Sequence, residues 1–314
     1  AEGAATSSTS WTVDTAAPTA PSADPAAGTY NALQSVTLTL AEDADATYYT
    51  IDGSTPDRDS TPYTVAIDID AANDASIILK AISYDAAGNA SSILEATYLF
   101  DKEGPAPPSA DIGAGTYAAA QIVTLTPADD TAATYYTLNG DEPTDSSTLY
   151  SAPISIDADN GVTVVLKAVS YDALGNKGSV LTIEYVFDKA GPTAPSVSAT
   201  TPTSDSTPTW SYSSGGGGNG TFRYQLDSEE GSWNETTDTS YTPSSPLDDG
   251  AHTLFVQERD EVGNWSTSGS FTITVDTEAP ASQNTVFTTS ISANGGASVS
   301  ITGTGDATDA IWFA

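Results

Sequence analysis

Residues 76–101 read SIILKAISYDAAGNASSILEATYLFD, and the fold is decided there. Ser76 to Tyr84 and Leu94 to Phe100 each alternate apolar and polar side chains, with Asp85, Gly88 and Asn89 between them. A period of two in β-branched and aromatic residues marks half-buried strands, and Asp, Gly and Asn mark a tight turn. VTLTL (Val36 to Leu40) and TYYTI (Thr47 to Ile51) carry the same pattern upstream. No segment sustains a 3.6-residue apolar pattern. Short strands with turn signals every ten residues or so predict an all-β chain built from β-sandwiches.

The pattern recurs. At an offset of 87 residues two long segments align without a gap, with roughly half of the positions identical. Gly28-Thr29-Tyr30 matches Gly115-Thr116-Tyr117, Tyr48-Tyr49-Thr50 matches Tyr135-Tyr136-Thr137, and Phe100-Asp101-Lys102 matches Phe187-Asp188-Lys189. A unit of that length can bury a core of its own, unlike a 20–50-residue solenoid repeat. A third segment diverges in its first half but closes with the same pattern, RDEVGNWSTSGSFTITVDTEAP. The glycines Gly215 to Gly218 and Gly220 lie between two strand-like runs, WSYS and TFRYQLD. They read as a flexible hairpin loop, because no helix or Lys-Ser/Thr follows to make a phosphate cradle.

These features divide the chain into repeat 1 at 19–105, repeat 2 at 106–195 and a divergent domain at 196–280. The ends look like pieces: AATSSTSWTVDTAAP near the start matches the close of the third domain, STSGSFTITVDTEAP. Residues 1–18 are therefore expected to be the last strand, Trp11 to Asp14, and linker of a preceding or complemented domain. Residues 281–314 are expected to begin a further β domain, with Ile311, Trp312 and Phe313 left apolar and open.

Composition excludes several partners. The chain has 42 acidic against 8 basic residues, a net charge of −34. Phosphate backbones and anionic lipid both require clustered Lys and Arg, so neither nucleic acid nor a membrane surface is a partner. No run approaches the ~20 apolar residues of a membrane span. There is no Cys, which removes disulfides, thiolate catalysis and Cys-ligated zinc. His252 is the single histidine, there is no G-x-S-x-G elbow, and the chain is expected not to be an enzyme. His252 itself reads as a residue on one face of a strand.

YYTIDGSTPDRDSTPY followed by IILKAISYDAAGNAS resembles the Ig-like module of chitobiase and β-hexosaminidase C-termini, which is also strung in arrays on bacterial surface proteins. The resemblance covers Gly28 to Asp101 and Gly115 to Asp188. The third segment looks like another bacterial Ig-like type, and its D-x-x-x-P linkers are similar to those of repetitive adhesins. The resemblance implies tandem Ig-like sandwiches in an extended array, at an extracellular or bacterial cell-surface location. It implies a structural role as a stalk or filament segment, contacting neighbouring Ig-like domains or identical subunits, with a glycan or cell-surface receptor as a further partner. The alternative it implies is a carbohydrate-binding accessory portion of a large secreted glycoside hydrolase.

In such a sandwich the F–G and B–C loops share the pole where the chain enters. The F–G turn is D-x-x-G-N three times over: Asp85 and Asn89, Asp172 and Asn176, Asp260 and Asn264. B–C loop acids Glu42, Asp43, Asp129 and Asp130 are expected at the same pole, and so are the linker aspartates Asp14, Asp101 and Asp188. Converging acids repel unless a cation or proton neutralises them, so these residues are candidate junction calcium ligands. The same Asp, Gly and Asn also suit a tight turn that needs no ion.

Aromatic residues supply candidate glycan contacts. In Tyr48-Tyr49 and Tyr135-Tyr136 one ring faces the core and its neighbour faces out, where it could stack on a sugar. Tyr49, Tyr136, Trp233 and Trp265 are the candidates. Asn89, Asn219, Asn234 and Asn264 sit in N-x-S/T sequons.

Overall fold

The computed structural model describes residues 12–279 of the chain. Trp11 and the segment from Ala281 to Ala314, on which two of the expectations above fall, lie outside the described residues. Contacts group the chain into two compact units. Among the described residues, those up to Gly115 with Gln121–Ile156 and Thr163–Tyr185 form one, and Thr116–Ala120, Asp157–Val162 and those from Val186 onward form the other.

The first sandwich lies within the first unit. Its smaller sheet pairs Ser22–Asp24, Gln34–Thr39 and Ile67–Ile69 in that order, all antiparallel. The larger sheet runs Gly28–Tyr30, Leu94–Phe100, Ser76–Tyr84, Ala46–Thr50 and Thr61–Pro62. The opening segment thus serves both sheets: Ser22–Asp24 lies antiparallel in one, and Gly28–Tyr30 lies parallel to Leu94–Phe100 in the other. The period of two is visible in burial. Along Leu94–Phe100, Ala96, Tyr98 and Phe100 are buried while Glu95, Thr97 and Leu99 are exposed. Ala96, Tyr98 and Phe100 meet Leu79 and Ala81 from the same sheet and Val36, Leu38, Ile67 and Ile69 from the facing one, and together they form the core.

The second repeat carries the same strands 87 residues on. Gln121–Val123 pairs Ile154–Ile156, Leu125–Thr126 pairs Ser109–Ala110, and a five-stranded sheet is ordered as in the first repeat. Its buried residues repeat those of the first, as with Leu166 for Leu79, Tyr185 for Tyr98 and Phe187 for Phe100, except that Ile183 is half-buried where Ala96 is buried.

The third sandwich lies in the second unit. It pairs Ser196–Ser198, Trp210–Ser213 and Ser240–Tyr241 in one sheet. Asn234–Thr236, Thr221–Leu226, Gly250–Arg259 and Gly269–Val275 make the other. Trp210, Tyr212, Phe222, Leu254, Val256, Ile273 and Val275 form its core. The two runs flanking the glycines fall in different sheets, so Gly215 to Gly220 is a crossover and not the hairpin loop expected. Nor is it free-standing: a Cβ at Gly215 would overlap the Ala194 carbonyl oxygen, and one at Gly218 would overlap the Glu258 carboxyl.

The structure is all-β, with no helix among the described residues. None is therefore long and apolar enough to cross a membrane. Thr12 to Asp14 forms no strand, and Val13 is 85% exposed, because among the described residues no strand is paired with it.

Candidate functional site

Each sandwich turns its long hairpin through the same five residues. Gly88, Gly175 and Gly263 have φ of 93°, 85° and 103°, a left-handed conformation that a side chain disfavours. The turn brings the backbone N–H groups that follow the aspartate round to face its own carboxylate. Asp85 Oδ1 accepts Asn89 N at 2.7 Å. Asp172 Oδ1 accepts Leu174 N and Asn176 N at 2.9 and 2.8 Å. Asp260 Oδ1 accepts Val262 N, Gly263 N and Asn264 N at 3.0, 2.7 and 2.8 Å.

The second carboxylate oxygen aims the asparagine. Asn89, Asn176 and Asn264 each donate from Nδ2 to their aspartate's Oδ2, at 2.7, 2.7 and 2.9 Å. Nδ2 also donates to the incoming linker. Asn89 reaches Asp14 O and Ala16 O at 3.2 Å, Asn176 reaches Asp101 O at 2.9 Å, and Asn264 reaches Asp188 O at 2.8 Å. One carboxylate therefore holds an amide that holds the linker, in all three sandwiches. The partners stand 73 to 76 residues apart in the chain.

Backbone packing tightens the grip at the later two linkers. A Cβ at Gly104 would overlap the Lys177 backbone, and one at Gly178 would overlap the Pro105 carbonyl. Gly191 stands in the same way against Trp265 O, and Gly269 against Pro195 O. Only glycine lets two backbones approach so closely. Asn31 Nδ2 adds a bond to Leu174 O at 2.8 Å within the first unit.

The residues expected to bind calcium are arranged differently from that expectation. The linker aspartates meet the turn through their main-chain carbonyls, while the Asp14 and Asp188 carboxylates accept Ala16 N and Ala190 N of their own segments. Glu42, Asp43, Asp129 and Asp130 are exposed. Among the described residues no group of three acidic or histidine side chains is placed to hold a metal. The carboxylates of Asp85, Asp172 and Asp260 face N–H donors, so the charge expected to need a cation is already hydrogen-bonded.

Those bonds also set proton affinity. At Asp85 the Asn89 amide, aided by backbone N–H groups, holds the carboxyl below the usual range against the opposing effect of burial. At Asp260 burial pushes upward most strongly, but the Asn264 amide and three N–H donors together outweigh it and the net shift is downward. A folded-state value below the unfolded one means stability that is fully present above the unfolded value of ~3.9. It is lost as pH falls through the lower folded values. The urea midpoint is therefore expected to drop between about pH 4 and pH 2, and to drop less in an Asp85→Asn, Asp260→Asn variant. An equal drop in both proteins would show that these turns are not involved.

The tyrosine assignment is corrected. Tyr49 pairs Ala81 and packs against the core, whereas Tyr48 stands on the outer face in edge contact with Tyr84, 6.1 Å between centroids. Tyr136 likewise pairs buried Ala168, and Tyr135 meets Tyr171 at 5.8 Å. A Tyr-Tyr doublet fixes that the rings part company but not which one goes in; the register against the neighbouring strand decides. Trp233 and Trp265 are half-buried beside arginine: Arg223 lies 4.9 Å from Trp233 and 4.4 Å from Trp265, and Arg259 lies 5.5 Å from Trp265. His252 is on a strand, as read, with Nδ1 at 2.7 Å from Asp227 Oδ2 and Nε2 at 2.9 Å from Asp248 O. The Asp227 hydrogen bond raises its pKa.

Residues 25–95 and 112–182 each match the chitobiase/beta-hexosaminidase C-terminal domain, and residues 192–277 match a bacterial Ig-like domain. The chain is a tandem of Ig-like modules. The first two modules are of the chitobiase C-terminal type and the third is a bacterial Ig-like domain of another type. Comparison with curated proteins found no match. Among solved structures, the FN1–FN3 domains of chicken CNTN1 are similar at 14% identity and TM-score 0.31, covering 83% of this chain and 99% of theirs. Domains from titin are similar at 12% identity and TM-score 0.37, with the same coverage. Fibronectin(III)-like modules of Clostridium thermocellum CbhA are similar at 17% identity and TM-score 0.32, covering 54% of this chain and 93% of theirs.

The linker clasp itself was missed by reading the sequence. Its signal was present in Gly104-Pro105 and Gly191-Pro192, which place glycine ahead of the linker proline where Asp14 to Pro18 has alanine.

Proposed function

We propose that these modules are a non-catalytic structural segment of a secreted bacterial surface protein or extracellular filament, and that the Asp-x-x-Gly-Asn clasps restrain its linkers. The observation that carries this reading is the recurrence of one hydrogen-bonded device at three linkers. A spacer that transmits position needs linkers that do not swing freely, and prolines at 105, 108 and 195, all buried, restrict the same segments further. Immunogold labelling of intact cells tests the location: label on the outer surface or on fibres supports the proposal, and label confined to the cytosol refutes it. Deleting residues 1–14 tests assembly by strand donation, which predicts loss of polymers.

Calcium enters through the same test of the linkers. With the turn carboxylates bonded to N–H groups, millimolar calcium is expected to leave Tm unchanged relative to chelator. Extracellular sites of ~10⁻⁴–10⁻³ M affinity would instead add about 2.7 kcal/mol at a hundredfold excess over Kd. A saturable rise in Tm of several degrees would return the ion to the junction.

A second reading, an accessory module that binds carbohydrate, is favoured by the outer face of the third module, where aromatic, amide and hydroxyl groups share a groove.

A further inference from the structure

We propose that the outer face of the four-stranded sheet in the third module binds a neutral polysaccharide; the proposal deepens the second reading above and rests on it. Along Gly250–Arg259 the inward residues are Leu254, Val256 and Glu258. Alternation therefore turns Phe255, Gln257 and Arg259 outward. A shallow, open groove on this face is lined by Phe255, Gln257, Glu229, Thr267, Ser268 and Ser270. Its surface combines an aromatic ring with an amide, a carboxylate and three hydroxyls. An apolar peptide would leave those polar groups unsatisfied. A pyranose suits them, since its C–H face covers an aromatic ring while its hydroxyls both donate and accept.

The polar groups are held in place. Gln257 Oε1 accepts Arg223 Nε at 2.7 Å, and its Nε2 donates to Ser268 Oγ at 3.0 Å, so the amide cannot rotate. The same guanidinium lies over the rings of Trp265 and Trp233, at 4.4 and 4.9 Å from their centroids. Gln225 pairs with Phe255 across the strands. It is 8% exposed and donates from Nε2 to Glu230 O and Ser232 O, which pins the loop bearing Glu229. Gln225 Oε1 is buried with no hydrogen-bond partner among the described residues.

Charge selects the class of sugar. Glu229 lines the groove and Glu235 pairs across the strand from Arg223, in a chain of net charge −34. Arg223 and Arg259 offset these two acids locally, so what disfavours a polyanion is the net negative charge of the whole chain, and the ligand class proposed is uncharged.

The test is calorimetric titration of the full chain with cellohexaose and chitohexaose as neutral probes and polygalacturonate as the acidic one. At least one neutral probe is expected to bind. Phe255→Ala and, separately, Gln257→Ala should each weaken it by roughly tenfold, the equivalent of ~1.4 kcal/mol. Tyr48→Ala, on the first module, should change nothing. Gln257→Ala keeps the test valid should Phe255→Ala disturb the sheet, and an unchanged thermal transition certifies either variant. Absence of neutral binding at millimolar concentration, indifference to both groove variants, or tighter binding of polygalacturonate would each overturn the proposal. Failure here leaves the clasp reading standing, because the clasp of this module rests on Asp260 and Asn264 and not on Phe255 or Gln257.

Discussion

Trp210→Ala is expected to unfold the third module at temperatures where the first module stays folded. Trp210 is fully buried at the centre of that core, 6.1 Å from the Tyr241 ring, and its Nε1 donates to Phe271 O at 3.0 Å. Truncation removes the transfer free energy of the indole and leaves a cavity, about 3–5 kcal/mol for a buried Trp. It also strands the Phe271 carbonyl. A domain of this size has only ~5–15 kcal/mol of stability in all. Each kcal/mol moves Tm by roughly 4–8 °C, so the third transition should fall by at least about 12 °C. Near-UV circular dichroism should show the loss, and calorimetry should place it in one transition. A fall under about 5 °C would mean that Trp210 is not the centre of an independent core.

Asn176→Asp is expected to do more damage at the linker than Asn176→Ala, although it changes a single group. Alanine removes the donor to Asp101 O and Asp172 Oδ2, which leaves two acceptors unmet at a half-buried site, a cost of about 1–3 kcal/mol. Aspartate adds a carboxylate where Nδ2 stood 2.7 Å from Asp172 Oδ2. Like charges at that distance repel by roughly 6 kcal/mol at an effective dielectric of 20, so the loop must move away. Lowering the pH should restore part of the loss in the aspartate variant, because protonation turns the new carboxylate back into a donor, and none in the alanine variant. Urea midpoints at pH 7 and pH 4 check both. Equal losses at pH 7, or no recovery, would contradict the clasp.

The sheets were legible because strand period is local. Leu94–Phe100 shows its inward face in its own spelling, and the 87-residue offset carried every such reading to the second module. The turn was legible for the same reason, since Gly88, Gly175 and Gly263 each announce a positive φ that no other residue adopts freely. What the turn grips was not. Asn176 and Asp101 are 75 residues apart, and nothing within either segment names the other. The acid count, likewise, does not show that the oxygens of Asp85, Asp172 and Asp260 accept N–H groups. The tyrosine doublets failed for want of register, as Tyr49 goes inward only because it lies opposite Ala81. The site on the third module was half legible. Trp233 and Trp265 stood out as aromatic, but Phe255 and Gln257 look like any alternating strand until the loop tied to Gln225 brings Glu229 beside them.

The clasp between Asn176 and the linker at Asp101 is tested most directly by ¹⁵N relaxation of the full chain, read as separate rotational correlation times for the first and second modules. The clasp predicts a single shared correlation time in the native protein and two shorter, unequal ones in Asn176→Ala, with both modules still folded. Independent tumbling in the native protein, or shared tumbling that survives the substitution, would contradict it.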